Sequence, residues 1–293
     1  MNTTNRDSSK PNANQVLLDA MENSWRNYLT ELKRCRTEFS NEAVHDLRVA
    51  TRRMMAIIQL LNSIAPRPRL RKIIRAFKEQ LDEFDDLRDT QVILAEISET
   101  VQELPELQAF QKHEQLIEEK LLRTLRKEIK ETNINELTKR IHKTHDAIEN
   151  EIDEDLEAAI MQAVDDAYLI TKQRLGWVDL ARPASIHRVR IAFKSFRYMV
   201  EIIHPLLKDF PPINSEWMNN YQSLMGEVQD AEVFMQTLAD YSEHASFSDP
   251  DAIRHYYERR HTEAISAYAE EMNQLHIFWR PAPDQPFPWE KPE

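Results

Sequence analysis

The chain has 293 residues, 41% of them hydrophobic, a formal net charge of -12 and only two glycines. Glycine serves wherever the backbone takes positive φ or lies close against a ligand, so two glycines cannot supply a phosphate loop, a dinucleotide turn or many hairpins. The composition therefore excludes nucleotide binding by a glycine-rich loop and predicts an all-α protein with short turns, whose single Cys35 cannot form an internal disulfide.

Residues 1–11 are polar and read as a disordered tail. The opening "MNTTNRDSSKPNANQ" has no apolar stretch of the signal-peptide kind. Apolar residues then recur at helical spacing and predict helices over 13–37, 42–64, 69–102, 106–131, 134–149, 151–175, 185–206, 213–242 and 249–276. Asn41 and Ser185 are the expected N-caps. Pro66 and Pro68, Pro105, and Pro211 with Pro212 mark breaks, because proline cannot sit inside a helix without losing a hydrogen bond. Gly176 falls where a left-handed residue would close a helix. The longest apolar run, "MMAIIQLL", is far short of the ~20 residues that span a bilayer. A soluble cytoplasmic protein with no membrane partner is the expectation. Residues 277–293 read as a proline-rich tail whose start is pinned by Phe278 and Trp279.

One segment is written twice. "VHDLRVATRRMMAIIQLL" starts at Val44, and "IHRVRIAFKSFRYMVEII" starts at Ile186, at an offset of 142. About forty residues after each, "FDDLRDTQV" aligns with "MGEVQDAEV" at an offset of 141, placing Asp89 opposite Asp230 and Val92 opposite Val233. The predicted helices fall in the same order in both halves. Two similar four-helix units with a pseudo-two-fold arrangement follow: repeat 1 over 12–131, a linker helix at 134–149, and repeat 2 over 151–276.

On a helix at roughly 100° per residue, each repeated segment has two faces. Leu47, Met54, Ile58 and Leu61 form an apolar stripe in the first copy, and Val189, Phe193, Phe196 and Ile203 in the second. Opposite them lie His45, Arg48, Arg52 and Met55 in the first. In the second lie His187, Arg190, Lys194 and Arg197, joined by Tyr198. Solvated helix faces usually mix signs, since Glu–Lys pairs one turn apart stabilise helices. Here the signs are segregated. From Leu47 to Lys78 there are nine Arg and Lys and no acid, and from His187 to Val200 four and none, whereas 149–166 carries only negative charge. Like charges gathered on one stripe repel each other, and a polyanionic ligand would relieve that.

"HDLRVATRR" and "IHRVRIAFKSFRY", each followed by a "(G)xxxD" helix, resemble the CHAD family, the conserved histidine α-helical domain. The resemblance runs from about residue 12 to 276. It implies two pseudo-symmetric four-helix bundles forming one domain around a central basic groove or pore. It also implies binding of inorganic polyphosphate, at polyphosphate granules, with no cofactor and no resident metal. Carried over by position, the expected binders are His45, Arg48, Arg52, His187, Arg190, Lys194 and Arg197. Weaker candidates are Arg53, Arg75, Lys78, Arg123, Tyr198 and Arg260. Asp89 and Asp230 are expected to accept hydrogen bonds from the site's cations and fix their direction. Two departures stand in the first copy: Met55 where a basic residue is usual, and Asp85 where the family often has the glycine kept at Gly226.

Four rivals were weighed against polyphosphate binding. Glu42 and His45 have the spacing of a di-iron bundle, but Ala184 replaces the second glutamate. His142, His145, Asp146 and Glu149 share a helical face that could hold a divalent ion. Phosphotransfer or metal-dependent phosphohydrolysis on the motif histidines lacks a paired base, so no enzyme activity is expected. Nucleic acid is disfavoured as a partner by the acidic chain and the lack of a stacking platform. A helical scaffold for an acidic protein partner, also at granules, stays open.

Overall fold

Proline and one serine set the first helix boundaries. In the computed structural model, which describes residues 12–150, 155–244, 247 and 250–290, Ser40 accepts from the Ala43 amide at 3.2 Å and opens a helix one residue ahead of Asn41. Among the described residues the helices are α1 (Ala13–Thr37), α2 (Asn41–Ile64), α3 (Pro68–Glu83), α4 (Asp85–Thr100), α5 (Gln108–Glu131) and α6 (Asn135–Asn150). They continue as α7 (Leu156–Leu175), α8 (Ala184–Ile203), α9 (Ile213–Ser242) and α10 (Pro250–Glu271). Short 3-10 turns lie at Pro105–Leu107, His204–Leu206 and Met272–Ile277. There is no strand among these residues, and no helix is long and apolar enough to cross a membrane. The expected disordered tail at 1–11 and the first residues of the expected helix at 151 lie outside the described residues.

Several expectations are corrected. Ser185 is not an N-cap; it lies inside α8, where its hydroxyl bridges the Asp179 amide and carbonyl at 3.0 Å each. Gly176 is right-handed, with φ -64, so it ends α7 without a left-handed turn. Among the described residues, Phe39 and Asp209 have positive φ. The helix expected over 69–102 is two helices. Phe84 has ψ near zero and its amide turns back to Leu81 at 3.1 Å, which breaks the α-helical ladder. The apolar period continues through the break with Phe77, Leu81, Phe84 and Leu87 all buried, so periodicity alone does not reveal it.

The buried side chains fall in two clusters, and each draws on both halves of the chain. The larger joins α1, α2, α3 and α6 to α7, α8 and the first part of α9. The smaller joins Ile93, Ile97 and Phe110 of α4 and α5 to Phe234, Leu238, Ile253 and Tyr257 of α9 and α10. The segment expected as a linker helix is part of the larger core: α6 packs on α1 and α3 and buries Leu137 and Ile141. The terminal segment is packed as well. Phe278 and Trp279 are fully buried against Phe193 and Phe196, and both the Trp279 indole N–H and the Arg280 guanidinium donate to Asp165. The packed unit therefore extends past 276.

Candidate functional site

The apolar stripes of α2 and α8 fold inward as their spacing requires: Leu47, Met54, Ile58, Val189, Phe193, Phe196 and Ile203 are buried. The two helices touch, and that brings their cationic faces together. Lys194 of α8 stands close enough to Arg52 of α2, to Arg190 of its own helix and to Arg88 of α4 to feel the charge of each, and Arg88 acts on Arg52 and Arg190 as well.

The cost of that gathering falls on the lysine. Burial, then the charges of Arg52, Arg190, Arg88 and Arg197, push Lys194 down from 10.5 to about 7. Burial and the neighbouring Arg48 push Arg52 down to about 10. Arg190 is also lowered, first by burial, with Asp230 opposing. All three are half-buried, and among the described residues none has a hydrogen-bond or ion-pair partner. The Arg190 Nε is fully buried and unsatisfied, and so is the His187 Nδ1. Buried polar atoms rarely lack a partner; the Arg190 Nε–H calls for an acceptor, whereas the His187 Nδ1 donates or accepts according to its tautomer.

Arg88 was missed in the sequence. It bridges the two aspartates that were singled out, donating to Asp89 and to Asp230 at 2.8 Å each. Burial works against its charge, but Asp230 and Asp89 outweigh that and hold it above the usual arginine range. The two carboxylates therefore meet on one guanidinium between α4 and α9. The signal available was the mismatch within the repeat, where Arg88 faces Gln229 at the same offset of 141 as the aspartates.

Two of the expected binders are turned elsewhere. Arg48 is buried, caps the Leu81 carbonyl at 3.0 Å and pairs with Asp85 at 2.8 Å. At the break the Leu81 carbonyl accepts from the Phe84 amide, and Arg48 gives it a second donor. Its counterpart Arg190 has no carboxylate in that place. An added Cβ on Gly226 would lie 3.9 Å from the Arg190 Nε and Nη2. Arg197 is also buried, donating to Gln222 at 3.1 Å and to Glu201 and Asn219, with its guanidinium 4.6 Å from the Tyr198 ring. Met55, its counterpart, packs at the edge of the core. His45 is exposed on the first turns of α2.

The weaker candidates scatter. Arg53 and Tyr198 line a separate cavity of about 560 Å³ between α1, α2 and α8. Arg75 is exposed and bonded to Glu79, Lys78 is exposed, and Arg123 bonds the Glu119 carbonyl of its own helix. Arg260 pairs with Glu96 beside a cavity of about 520 Å³ that also holds Glu99, Glu227, Asp230 and Glu263. That surrounding repels anions, and Asp230 lines this cavity as well as bonding Arg88. The side-chain oxygens and nitrogens of His145, Asp146 and Glu149 lie within 4.8 Å of one another on the open face of α6; His142 is not among them.

The cluster of Arg52, Arg190 and Lys194 is thus a set of donors with no acceptor, edged by Arg88 and its two aspartates. Comparison with known proteins shows the family and the fold. The family model for the CHAD domain matches residues 19–239. The crystal structure of the CHAD domain from the plant Ricinus communis is similar over 92% of this chain and 91% of that one, with a TM-score of 0.67 and 17% identity. No curated protein matches the chain.

Proposed function

The chain belongs to the CHAD domain family, and from that premise we propose that it binds inorganic polyphosphate between α2 and α8, as a binding protein and not an enzyme. The observation that carries this reading is the trio of Arg52, Arg190 and Lys194, drawn from two helices, which among the described residues makes no hydrogen bond or ion pair. Polyphosphate offers oxygens and a negative charge on every internal phosphate, with no base to read. Arginine forks take such oxygens in pairs, and a lysine adds a point charge. An anion seated there would accept from the buried Arg190 Nε and restore the charge on Lys194.

Arg88, held by Asp89 and Asp230, stabilises the wall from which Arg190 and Lys194 act. In this reading Arg48 and Arg197 keep the helices in place rather than touch phosphate. An acidic chain with its cations gathered in one recess favours a thin flexible polyanion over a broad duplex. The packed domain would then act at polyphosphate granules.

The test is titration of long-chain polyphosphate at several salt concentrations, with duplex DNA in parallel. Engaging three cations should give a log–log slope of about -2, by release of counterions, and DNA should bind more weakly at each salt. Affinity that ignores salt, or equal affinity for DNA, would overturn the proposal.

A further inference from the structure

A second gathering of cations lies away from the α2–α8 recess. Between α3 and α6 a cleft of about 330 Å³ is lined by Arg69, Lys72, Lys139, Arg140 and Lys143, with Glu136 as its one acid. Glu136 is shared: Lys139 reaches it at 2.9 Å and Arg140 at 3.9 Å. Lys143 also acts on Glu136 by its charge, whereas Lys72 has no partner among the described residues, and both lysines are exposed. Arg69 is aimed rather than loose, because its Nε donates to the Thr144 hydroxyl at 3.2 Å and Thr144 is buried.

A solvated helix pair would place acids opposite these lysines, as a chain with 50 Asp and Glu could readily do. Instead two helices far apart in sequence turn their cations toward one cleft. Other acids gather apart from it, as in the carboxylate-lined cavity around Arg260.

Helix α3 joins this cleft to the central recess. Its first turns carry Arg69 and Lys72, and its last carries the Leu81 carbonyl that Arg48 caps. At 1.5 Å per residue the two ends are roughly 20 Å apart. Exposed Lys72, Arg75 and Lys78 step along the helix between them.

We propose that the α3–α6 cleft is a second contact for the same extended polyanion, so that a long polyphosphate is held at two places and a short one at one. This rests on the reading of the central recess as the first contact. Two weak contacts on one chain raise affinity through effective concentration, without either being tight alone. The separation exceeds the Debye length of about 8 Å at physiological ionic strength, so charge changes in the outer cleft act weakly on the inner site.

The experiment titrates long-chain polyphosphate and tripolyphosphate, at one physiological salt concentration, into three proteins. These are the parent, Lys72→Glu/Lys143→Glu and Arg190→Glu/Lys194→Glu, each checked by circular dichroism. The outer reversal should weaken long-chain binding by about tenfold and leave tripolyphosphate binding unchanged. Unchanged long-chain affinity overturns the second contact, and so does an equal loss for both chain lengths. If the outer reversal weakens long chains while the inner reversal weakens nothing, the outer contact stands and the central reading falls. Should the outer reversal lose helicity, Lys72→Gln/Lys143→Gln replaces it, with a smaller loss confined to long chains expected and no loss overturning the proposal.

Discussion

Arg48 donates to Asp85 at 2.8 Å, whereas Arg190, its equivalent 142 positions later, lies over Gly226 with its Nε unsatisfied. One arginine of the repeat is closed by a carboxylate and the other is left open. That difference holds the first within the fold, and on the proposed reading it leaves the second to donate to an anion.

Putting the carboxylate back should therefore close the site. Gly226→Asp places an acid where Asp85 stands in the first copy and should weaken polyphosphate binding about tenfold or more, the value of one charge-assisted hydrogen bond. Gly226→Ala meets only ordinary contacts. It should bind as the parent does and gain up to about 1 kcal/mol of helix stability. Titration of both variants checks the pair, and parent-like binding by Gly226→Asp would count against an open Arg190.

The two arginines of α2 should separate stability from binding. Arg48→Met removes the cap on Leu81 and the pair with Asp85, and should cost about 2–3 kcal/mol in urea unfolding. The Asp85 side chain is 54% exposed, which limits how much its share of that loss can be. Arg52→Met removes a partnerless half-buried charge. It should leave stability unchanged or improved while weakening polyphosphate. If both variants lost only binding, the structural assignment of Arg48 would be wrong.

The pH dependence follows from Lys194. Its folded pKa of about 7 lies below the 10.5 of an ordinary lysine. In the ligand-free protein the unfolded chain holds more protons between these values, so Lys194 adds stability as pH rises from 7 toward 10.5 and withdraws it as pH falls through 7. A bound polyanion pulls the pKa back up. Affinity should then increase as pH falls from 9 to 7 and level off below, while Lys194→Met should lose that slope. Thermal melting and titration across this range, parent against variant, read both effects. A parent with the slope of the variant would contradict the lowered lysine.

The terminal segment offers a check on the boundary of the folded unit. Trp279 is fully buried between Phe196, Phe287 and Trp289, with its N–H bonded to Asp165. Trp279→Ala should cost about 3–5 kcal/mol in urea unfolding. A loss below about 1 kcal/mol would mean that the segment does not contribute to the core.

Much of this architecture is legible in the chain itself. The apolar stripes of α2 and α8, the proline breaks and the scarcity of glycine give the helices, and the repeat marks which two carry the cations. What stays hidden depends on neighbours. A helical wheel puts Arg48 and Arg52 on one stripe, but only the neighbouring break at Phe84 sets the Leu81 carbonyl and the Asp85 carboxylate against Arg48. The wheel likewise cannot know that Arg197 meets Glu201, Asn219 and Gln222. The repeat drew notice to Asp89 and Asp230 because they match. The residue joining them, Arg88, is a mismatch and so passed unseen. Arg260 looked like one more cation until α4 and α9 surrounded it with acids.

The most direct test of the central claim is long-polyphosphate affinity of Arg190→Glu/Lys194→Glu beside the parent, at one salt concentration, with circular dichroism on both. Arg53→Glu, whose side chain lines a different cavity, is the control. Losing two charge-assisted contacts of roughly 1.5–3 kcal/mol each should reduce affinity at least a hundredfold. Helicity and melting should hold, or improve as repulsion among the cations is relieved, and the control should lose far less. If the double variant binds like the parent, polyphosphate is not held between α2 and α8; if it unfolds, the cationic stripe belongs to the fold and not to a site.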